Sequence, residues 1–302
     1  MFGRKERSSM EKPRAYVGGQ AVIEGVMMRG PQKVATAVRL PDGKITVQCE
    51  PVHSLTERFP FLKKPFIRGS VALYESLLYG MRSLSFSAKA AEEEENVSDV
   101  QMGLTLTVSV VMAIVFFILL PTYGAHFLLS ATAASVHLNL AEGGLRLLIF
   151  LLYIWGISFT DGMYRVFQYH GAEHKTIWTY EAGEPLTVEN VKKHSRLHPR
   201  CGTNFLLIVM VVSIFVFAFL GWPGIVFRVL SRIIFMPVVA GISYEIIRLA
   251  ADSSHTCIRT AVRPGLWLQY LTTREPQADQ IEVAIAALEA AKPSTGQTAQ
   301  NL

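Results

Sequence analysis

The residues best suited to bind a metal or move a proton are concentrated between His170 and Cys201. This window holds four of the eight histidines and one of the three cysteines. His170, Glu173 and His174 are spaced three and four positions apart, so a helix would place their side chains on one face. Two imidazoles one turn apart can bind one zinc-sized ion, and a carboxylate between them can accept a proton from a bound water. The spacing predicts His170 and His174 as metal ligands and Glu173 as a catalytic base.

This His-x-x-Glu-His order is the one found in inverzincins. Gly171 lies inside the motif and lowers the stability of a helix by about 1 kcal/mol relative to alanine. The alternative is a helix face whose polar residues pack against a partner or form capping hydrogen bonds. The two interpretations differ in whether the imidazoles bind a metal.

A second pair of metal-binding side chains follows at His198 and Cys201, three positions apart. Pro199 and Gly202 favour a turn there, and an imidazole and a thiolate across such a turn form half of many zinc sites. Two such pairs in one segment predict a divalent metal cofactor, with zinc as the expected ion and His198 and Cys201 as further ligands. His194 is interpreted as a surface or supporting histidine.

Two acidic residues outside this window are additional candidates for the site. Glu24 stands alone in an apolar, glycine-rich stretch, where it is either an exposed strand residue or a carboxylate directed at the site. Glu245 lies in a long apolar segment, and an acid inside a membrane span is a functional candidate by default. The alternative for Glu245 is an ion pair with Arg248, three positions later.

Composition favours a membrane protein that binds no nucleic acid. Half of the 302 residues are apolar, and they cluster in long segments, as in membrane proteins. The net charge of +5 is modest, and no basic stretch is interleaved with exposed aromatic residues as nucleic-acid binding would require. Three scattered cysteines are too few for a disulfide framework, which favours a reducing compartment.

The N-terminal part of the chain is predicted to be a small β-rich module followed by an amphipathic helix. Residues 1–15 are polar and basic, which predicts disorder. Residues 16–55 mix β-prone residues with glycines, and Asp42-Gly43 supplies the tight turn of a hairpin. Between residues 69 and 84 leucines repeat at helical spacing while polar residues remain, which predicts a helix on the membrane surface or against the β-rich module.

Four apolar segments of nearly the length that a bilayer requires predict four transmembrane helices. Lysine and arginine are dense in residues 1–103 and present in 161–204 and 248–302, whereas residues 121–144 contain none. This asymmetry predicts a multi-pass protein of the cell membrane with both termini and the 170–201 segment in the cytosol. The four segments are 104–120 with a continuation to 129, 145–159, 205–220 and 225–249.

The predicted fold is therefore an α+β membrane protein with four transmembrane helices, a small β-rich N-terminal cytosolic module and an amphipathic helix. The chain divides into a disordered N-terminus (1–15), the cytosolic module with its amphipathic helix (16–100), transmembrane helices 1 and 2 (101–160), a cytosolic His/Cys-rich loop (161–204), transmembrane helices 3 and 4 (205–250) and a cytosolic C-terminal tail (251–302).

Several stretches of the sequence are distinctive in type and in order. They are GGQAVIEGVMMRGP at 18–31, HGAEHK at 170–175, HPRCGT at 198–203 and PGLWLQ at 264–269. Together they resemble the bacterial DUF1385 family of YqhQ-like membrane proteins, and the similarity extends over about residues 15–290. The resemblance implies a membrane protein with a metal site, because the family is described as predicted metal-dependent enzymes of the membrane. It implies no particular substrate.

The predicted function is a membrane-bound, metal-dependent enzyme of hydrolase type. Its site would lie on the cytosolic membrane surface and act on a peptide, a lipid headgroup or another ester or amide. The expected partners are the lipid bilayer and that substrate, and the sequence leaves the oligomeric state open. The alternative is a non-catalytic scaffold or partner-binding protein in which the same histidines and cysteine form a closed structural metal site or a hydrogen-bonded cluster.

A transporter is a third and less favoured function. The predicted spans contain few charges and no paired broken helices, whereas charge pairs in the span interior would favour transport. Arg228 and Arg232 lie near the outer end of the last apolar segment. They are expected to reach the lipid headgroups there.

Overall fold

The computed structural model describes residues 17–91, 99–129, 134–252 and 263–293. Within these residues the chain is an α+β protein, with a four-stranded sheet near the N-terminus and many helices. This confirms the predicted fold class at that level. Residues 1–15, for which disorder is predicted, and Cys257 lie outside the described residues.

The sheet is an antiparallel meander whose strand order follows the chain, and it corresponds to the predicted β-rich module. Val22 pairs with Gly25, so Ile23 and Glu24 form a two-residue turn in which Glu24 has a φ of 47°. In the turn between the third and fourth strands, Gly43 has a φ of 84°, which the glycine of an Asp-Gly turn can adopt. The strands are β1 (Gly18–Val22), β2 (Gly25–Arg29), β3 (Lys33–Arg39) and β4 (Ile45–Pro51).

The helices of the described chain follow the sheet. The segment 170–174 lies within one continuous helix, α6, although Gly171 is part of it. The helices are α1 (Leu55–Arg58), a 3-10 turn (Pro60–Lys63), α2 (Ile67–Ala91), α3 (Asp99–Ile114), a π-helical turn (Val115–Leu119), α4 (Leu120–Leu128), α5 (Ser135–Ile157), α6 (Asp161–Ala182), α7 (Val188–Lys192), α8 (Gly202–Ala218), α9 (Ile225–Asp252), α10 (Arg263–Thr272) and α11 (Ala278–Ala291).

The largest buried core lies between one face of the sheet and the helices α6 and α11. Met28 of β2 packs there with Tyr169 of α6 and Leu288 of α11. Successive strand residues point to opposite faces, so the neighbouring Met27 joins a second core with Tyr79 of α2. Helix α11 thus completes the core of the N-terminal sheet, and α6 packs beside α11 on the same face.

In the described part of the chain, three helical segments are long and apolar enough to cross a membrane, namely Gly103–Leu128, Ser135–Ile157 and Val226–Leu249. The second begins at Ser135, earlier than the predicted residue 145, which gives it the length it lacks in the sequence prediction. The third predicted span corresponds to α8, which has 17 residues and a length of about 26 Å, short of a hydrocarbon core of about 30 Å. The structure therefore supports membrane association through three helices. Membrane crossing by α8, which would give four spans, stays a prediction, as do the cell membrane as location and the orientation of the termini.

The predicted amphipathic helix is α2, which packs closely on α9. A Cβ atom built on Gly69 would lie 2.5 Å from Tyr244 Cβ and 3.0 Å from Gly241 Cα, so the two helices can approach only because glycine is present. Helix α2 also exposes Leu77 and Met81 at 58% and 57% of their surface. Such an exposed apolar stripe is suited to the membrane surface.

Candidate metal centre

The structure brings together three of the predicted metal ligands, His170, His174 and Cys201. Their ligand atoms lie within 4.8 Å of one another, and His170 Nε2 is 3.1 Å from Cys201 Sγ. A tetrahedral zinc ion would hold such atoms about 3.3–3.6 Å apart. Side-chain adjustments of about 1 Å would therefore let the three residues bind one ion. We call these three residues and Glu173 the His/Cys cluster.

Backbone carbonyls fix the orientation of both imidazoles. His170 Nδ1 donates a hydrogen bond to the Thr272 carbonyl at 2.8 Å, and His174 Nδ1 donates to the Arg196 carbonyl at 2.6 Å. Because a carbonyl oxygen only accepts, the proton of each neutral ring lies on Nδ1 and the lone pair lies on Nε2. Metal-binding histidines are commonly held in this way. Burial lowers the pKa of His174, which favours the neutral ring that can coordinate a metal.

Glu173 places a carboxylate beside these ligands. Its side chain is buried, and its Oε2 atom lies 3.9 Å from His170 Nε2 and has no hydrogen-bond partner among the described residues. Burial raises the pKa of Glu173, and the nearby His170 and His198 oppose that rise. His174 Nε2 is also buried without a partner. Buried polar atoms without partners cost free energy, and one cation could satisfy both of these acceptors.

Cys201 is fixed by its position at the start of α8, where it is the N-cap residue. Its Sγ atom accepts a hydrogen bond from the Thr203 amide at 3.4 Å and lies 3.2 Å from Thr203 Oγ1. The first turn of a helix favours negative charge, so this position suits a thiolate ligand. The Cys201 amide donates to the His198 carbonyl at 3.4 Å, which closes the turn predicted from the sequence.

His198 lies beside the cluster but is not one of the three residues whose ligand atoms converge. Its Nδ1 atom accepts a hydrogen bond from the Arg200 amide at 3.3 Å, so the proton of the neutral ring belongs on Nε2, which is 3.7 Å from Glu181 Oε2. Burial lowers the pKa of His198 to about 4. Its ring packs against Trp178, with 4.7 Å between ring centroids. In this orientation the lone pair on Nδ1 of His198 accepts the hydrogen bond of the Arg200 amide and does not point to the cluster ligands. Metal binding by His198 stays a prediction.

Two polar side chains that the sequence reasoning missed hold the 194–201 segment in place, Trp178 from α6 and Gln269 from α10. Trp178 Nε1 donates to the Leu197 carbonyl at 3.0 Å. Gln269 accepts from the His198 amide and donates to the His198 carbonyl, both at 2.8 Å. The sequence contained an indication of each residue, because Trp178 lies one helical turn after His174 and Gln269 ends the distinctive PGLWLQ stretch.

Two glycines allow other backbone segments to reach the cluster. A Cβ atom on Gly19 of β1 would lie 2.8 Å from Glu173 Cγ and from the Met27 carbonyl oxygen. A Cβ atom on Gly171 would lie 2.1 Å from the Arg274 carbonyl oxygen. Gly171 therefore lets the segment that follows α10 approach α6, and this segment begins directly after Thr272, the last residue of α10, whose carbonyl orients His170.

The two additional acidic candidates form ion pairs outside the converging ligand group. Glu24 accepts hydrogen bonds from Arg165 Nε and Nη2 at 2.6 and 2.5 Å, and these bonds lower the pKa of Glu24. Glu245 forms an ion pair, as its alternative interpretation proposes, but its described partner is Arg68 of α2, at 2.8 and 2.5 Å. Glu24 thus fixes the β1–β2 turn to α6, and Glu245 joins α2 to α9.

Comparisons with known proteins agree with the resemblance seen in the sequence. The model of a family described as "Protein of unknown function (DUF1385)" matches residues 64–294. The "Uncharacterized protein YqhQ" of Bacillus subtilis (strain 168) is 39% identical over 295 residues, which cover 92% of each chain. No solved structure matches. Neither description names an activity, so the function must be inferred from the site itself.

Proposed function

The chain belongs to the DUF1385 family, and from that premise we propose that it is a membrane-bound, metal-dependent hydrolase whose ion is bound by His170, His174 and Cys201. The observation that carries the proposal is the convergence of three ligand atoms within 4.8 Å beside a buried, unpartnered carboxylate. Two imidazoles and a thiolate are ligands that zinc prefers, and a three-residue set leaves one position open for a water or substrate.

The proposed role of Glu173 is that of the base. A zinc-class ion supplies Lewis acidity and lowers the pKa of a bound water. The Glu173 carboxylate then accepts a proton as the water oxygen attacks the carbonyl carbon of an ester or amide. The same proton passes to the leaving oxygen or nitrogen as its bond to that carbon breaks. Burial raises the pKa of Glu173, which makes its carboxylate a stronger base than an exposed glutamate.

The proposed location is the cytosolic surface of the cell membrane. Cys201 caps the start of α8, a short apolar helix that packs against the candidate spans in α5 and α9, so the cluster lies where this helix leaves the sheet-containing region. The distribution of lysine and arginine in the sequence favours a cytosolic position for this region. A substrate that is a lipid headgroup or a membrane-proximal peptide would fit that position.

A second candidate function is a non-catalytic scaffold with a structural metal. The observation that favours it is burial, since Glu173 and His174 expose only 3% and 1% of their surface. If Glu173 coordinates the ion as a fourth ligand, the site is closed, as structural zinc sites are. The metal would then fix α6 to the start of α8.

The test is elemental analysis of the purified full-length protein in detergent. Wild type should contain one zinc-class ion per chain, and the double variant His170→Ala/His174→Ala should contain none. His53→Ala is the matched control, because His53 is an exposed histidine far from the cluster in the sequence. Absence of bound metal in wild type after purification without chelators contradicts both candidate functions.

Glu173→Gln separates the two candidates. If Glu173 is the base, the variant keeps its metal and loses hydrolysis of a panel of nitrophenyl esters and peptide anilides that wild type cleaves. If Glu173 is a ligand, the variant loses metal together with stability, and the hydrolase proposal is wrong. Equal hydrolysis by wild type and Glu173→Gln would also contradict the assignment of the base.

A further inference from the structure

A second buried polar cluster lies among the helices that support membrane association. Glu142 of α5 is fully buried, and its carboxylate is shared by two arginines. Arg146 Nη2 donates to Oε1 at 2.5 Å, and Arg232 Nη2 of α9 donates to Oε2 at 2.6 Å. Thr122 of α4 donates a third hydrogen bond at 3.2 Å. Three helices are therefore tied together by one carboxylate.

The π-helical turn of the first candidate span supports this cluster. Arg146 Nε donates to the Phe117 carbonyl at 2.8 Å, and Phe117 lies in the turn Val115–Leu119. π-Helical turns occur frequently at functional sites. Charged side chains inside a span are expensive and commonly mark a binding site or a pathway. The sequence prediction expected few charges in the spans and did not anticipate the ion pairs of Glu142 with Arg146 and Arg232.

The cluster contains more positive than negative charge. Arg228 lies one turn before Arg232, and its guanidinium is 3.5 Å from the centre of the Trp222 ring and donates to the Pro223 carbonyl at 2.9 Å. Among the described residues, Glu142 is the only acid that forms an ion pair with these arginines. Three permanently charged guanidinium groups therefore face one carboxylate. We call Glu142, Arg146, Arg228 and Arg232 the arginine cluster.

A small cavity adjoins the unbalanced side of the arginine cluster. Its volume is about 10 Å³, which is the space of about one water molecule. Asn139, Gly221, Arg228 and Arg232 are among its lining residues. Both arginines are at least nine-tenths buried, and within the described part of the chain the Nε atom of each is buried without a hydrogen-bond partner. Two residues that line the cavity thus carry positive charge and N–H donors that a small acceptor could satisfy.

We propose that this cavity binds one oxygen of a phosphate group. A neutral water could accept hydrogen bonds but would leave the surplus positive charge buried, whereas an anionic oxygen compensates it. Guanidinium groups bind phosphate through charge-assisted hydrogen bonds. The cavity lies at the turn between α8 and α9, next to Trp222, a residue type enriched at membrane interfaces where lipid phosphates lie. The sequence places Arg228 and Arg232 near the headgroups, and the structure directs both side chains inward.

The phosphate could belong to a lipid headgroup or be free inorganic phosphate, and binding to full-length protein in neutral detergent distinguishes them. The shift of the thermal unfolding midpoint is measured with phosphatidylglycerol, with diacylglycerol of the same acyl chains, and with inorganic phosphate. A ligand that binds the folded state raises the midpoint with concentration. A shift with phosphatidylglycerol alone identifies a lipid phosphate, and a shift with inorganic phosphate as well identifies free phosphate. An equal shift with diacylglycerol, or no shift with either phosphate, overturns the proposal.

Arg228→Gln tests the role of the unbalanced arginine, because Arg228 makes no ion pair with Glu142 among those described. The variant should bind the phosphate-containing probe about tenfold more weakly, the effect of losing one charged hydrogen bond. Arg228→Lys should recover part of the affinity. The control is Lys44→Gln, which removes one exposed positive charge from the β3–β4 turn. Unchanged affinity in Arg228→Gln overturns the proposal, and if that variant does not fold, the wild-type comparison of phosphatidylglycerol with diacylglycerol decides.

Discussion

The His/Cys cluster and the arginine cluster are both buried, but they carry opposite imbalances. In the His/Cys cluster the unpartnered atoms are acceptors, namely a carboxylate oxygen and an imidazole nitrogen. In the arginine cluster the unpartnered atoms are guanidinium N–H donors. Because a buried group without a partner costs free energy, the sign of each imbalance indicates the charge of the ligand that would relieve it.

The two clusters lie near opposite ends of α8. Cys201 caps the first turn of α8, and Gly221, which lines the cavity of the arginine cluster, follows its last turn. One short apolar helix thus separates a centre suited to a cation from a centre suited to an anion. Removal of a carboxylate charge should therefore lower the free energy of unfolding at the arginine cluster but not at the His/Cys cluster.

The largest expected effect comes from the two buried glutamates. In metal-free protein, Glu142→Gln should lower the free energy of unfolding by roughly 3–5 kcal/mol, because the paired arginines remain buried without their carboxylate. Glu173→Gln should leave that free energy unchanged or raise it, because it removes a buried charge without a partner. Chemical unfolding in detergent measures both, with the exposed residue Glu282 changed to Gln as control. Destabilisation of similar size by both substitutions would remove the contrast between the clusters.

A smaller effect is expected when one ligand of the His/Cys cluster is replaced. Cys201→Ser should weaken zinc binding by about 100-fold or more, since loss of a residue that merely supports a ligand costs about 10–100-fold. Competition with a chromophoric chelator measures the affinity. Cys49→Ser is the matched control, because Cys49 is an exposed cysteine on β4. Equal affinities of the two variants would show that Cys201 does not coordinate the ion.

Packing against Glu173 provides the next test. Gly19→Ala should lower the free energy of unfolding by about 1–3 kcal/mol, because the new methyl group overlaps the Glu173 side chain and the Met27 carbonyl oxygen. Gly18→Ala, one position earlier, adds a methyl group that meets nothing within 4 Å. Thermal unfolding of the two variants isolates the contact with Glu173. Equal midpoints would mean that β1 and α6 can separate at this point without cost.

The predictable parts of the site depend on local spacing. His170, Glu173 and His174 belong to one helix, so their shared face follows from helical geometry alone. The turn from His198 to Cys201 follows from Pro199 and the glycine after Cys201. These short-range patterns predicted three residues that the structure brings together.

The arginine cluster could not be predicted in the same way. Glu142 and Arg146 are one turn apart, which the sequence shows, but Arg232 reaches the same carboxylate from 90 positions later. Likewise, the Gly171 backbone makes room for the Arg274 carbonyl, a contact that helix propensity cannot reveal. Tertiary packing decides both cases, and one sequence contains no direct record of it.

The smallest expected effect comes from the balanced pair of Glu24 and Arg165, which serves as a reference for both clusters. Glu24→Gln should lower the free energy of unfolding by less than about 1 kcal/mol, because the partners expose 28% and 43% of their side chains and solvent screens the attraction. Arg165 lowers the pKa of Glu24 below its ordinary value of 4.5. The stabilisation is therefore present above pH 4.5 and is lost as the pH falls through the pKa of the folded protein. Unfolding curves of wild type and variant should differ at neutral pH and converge in acid. A difference that persists in acid would mean that Glu24 acts by packing at the β1–β2 turn and not by its charge.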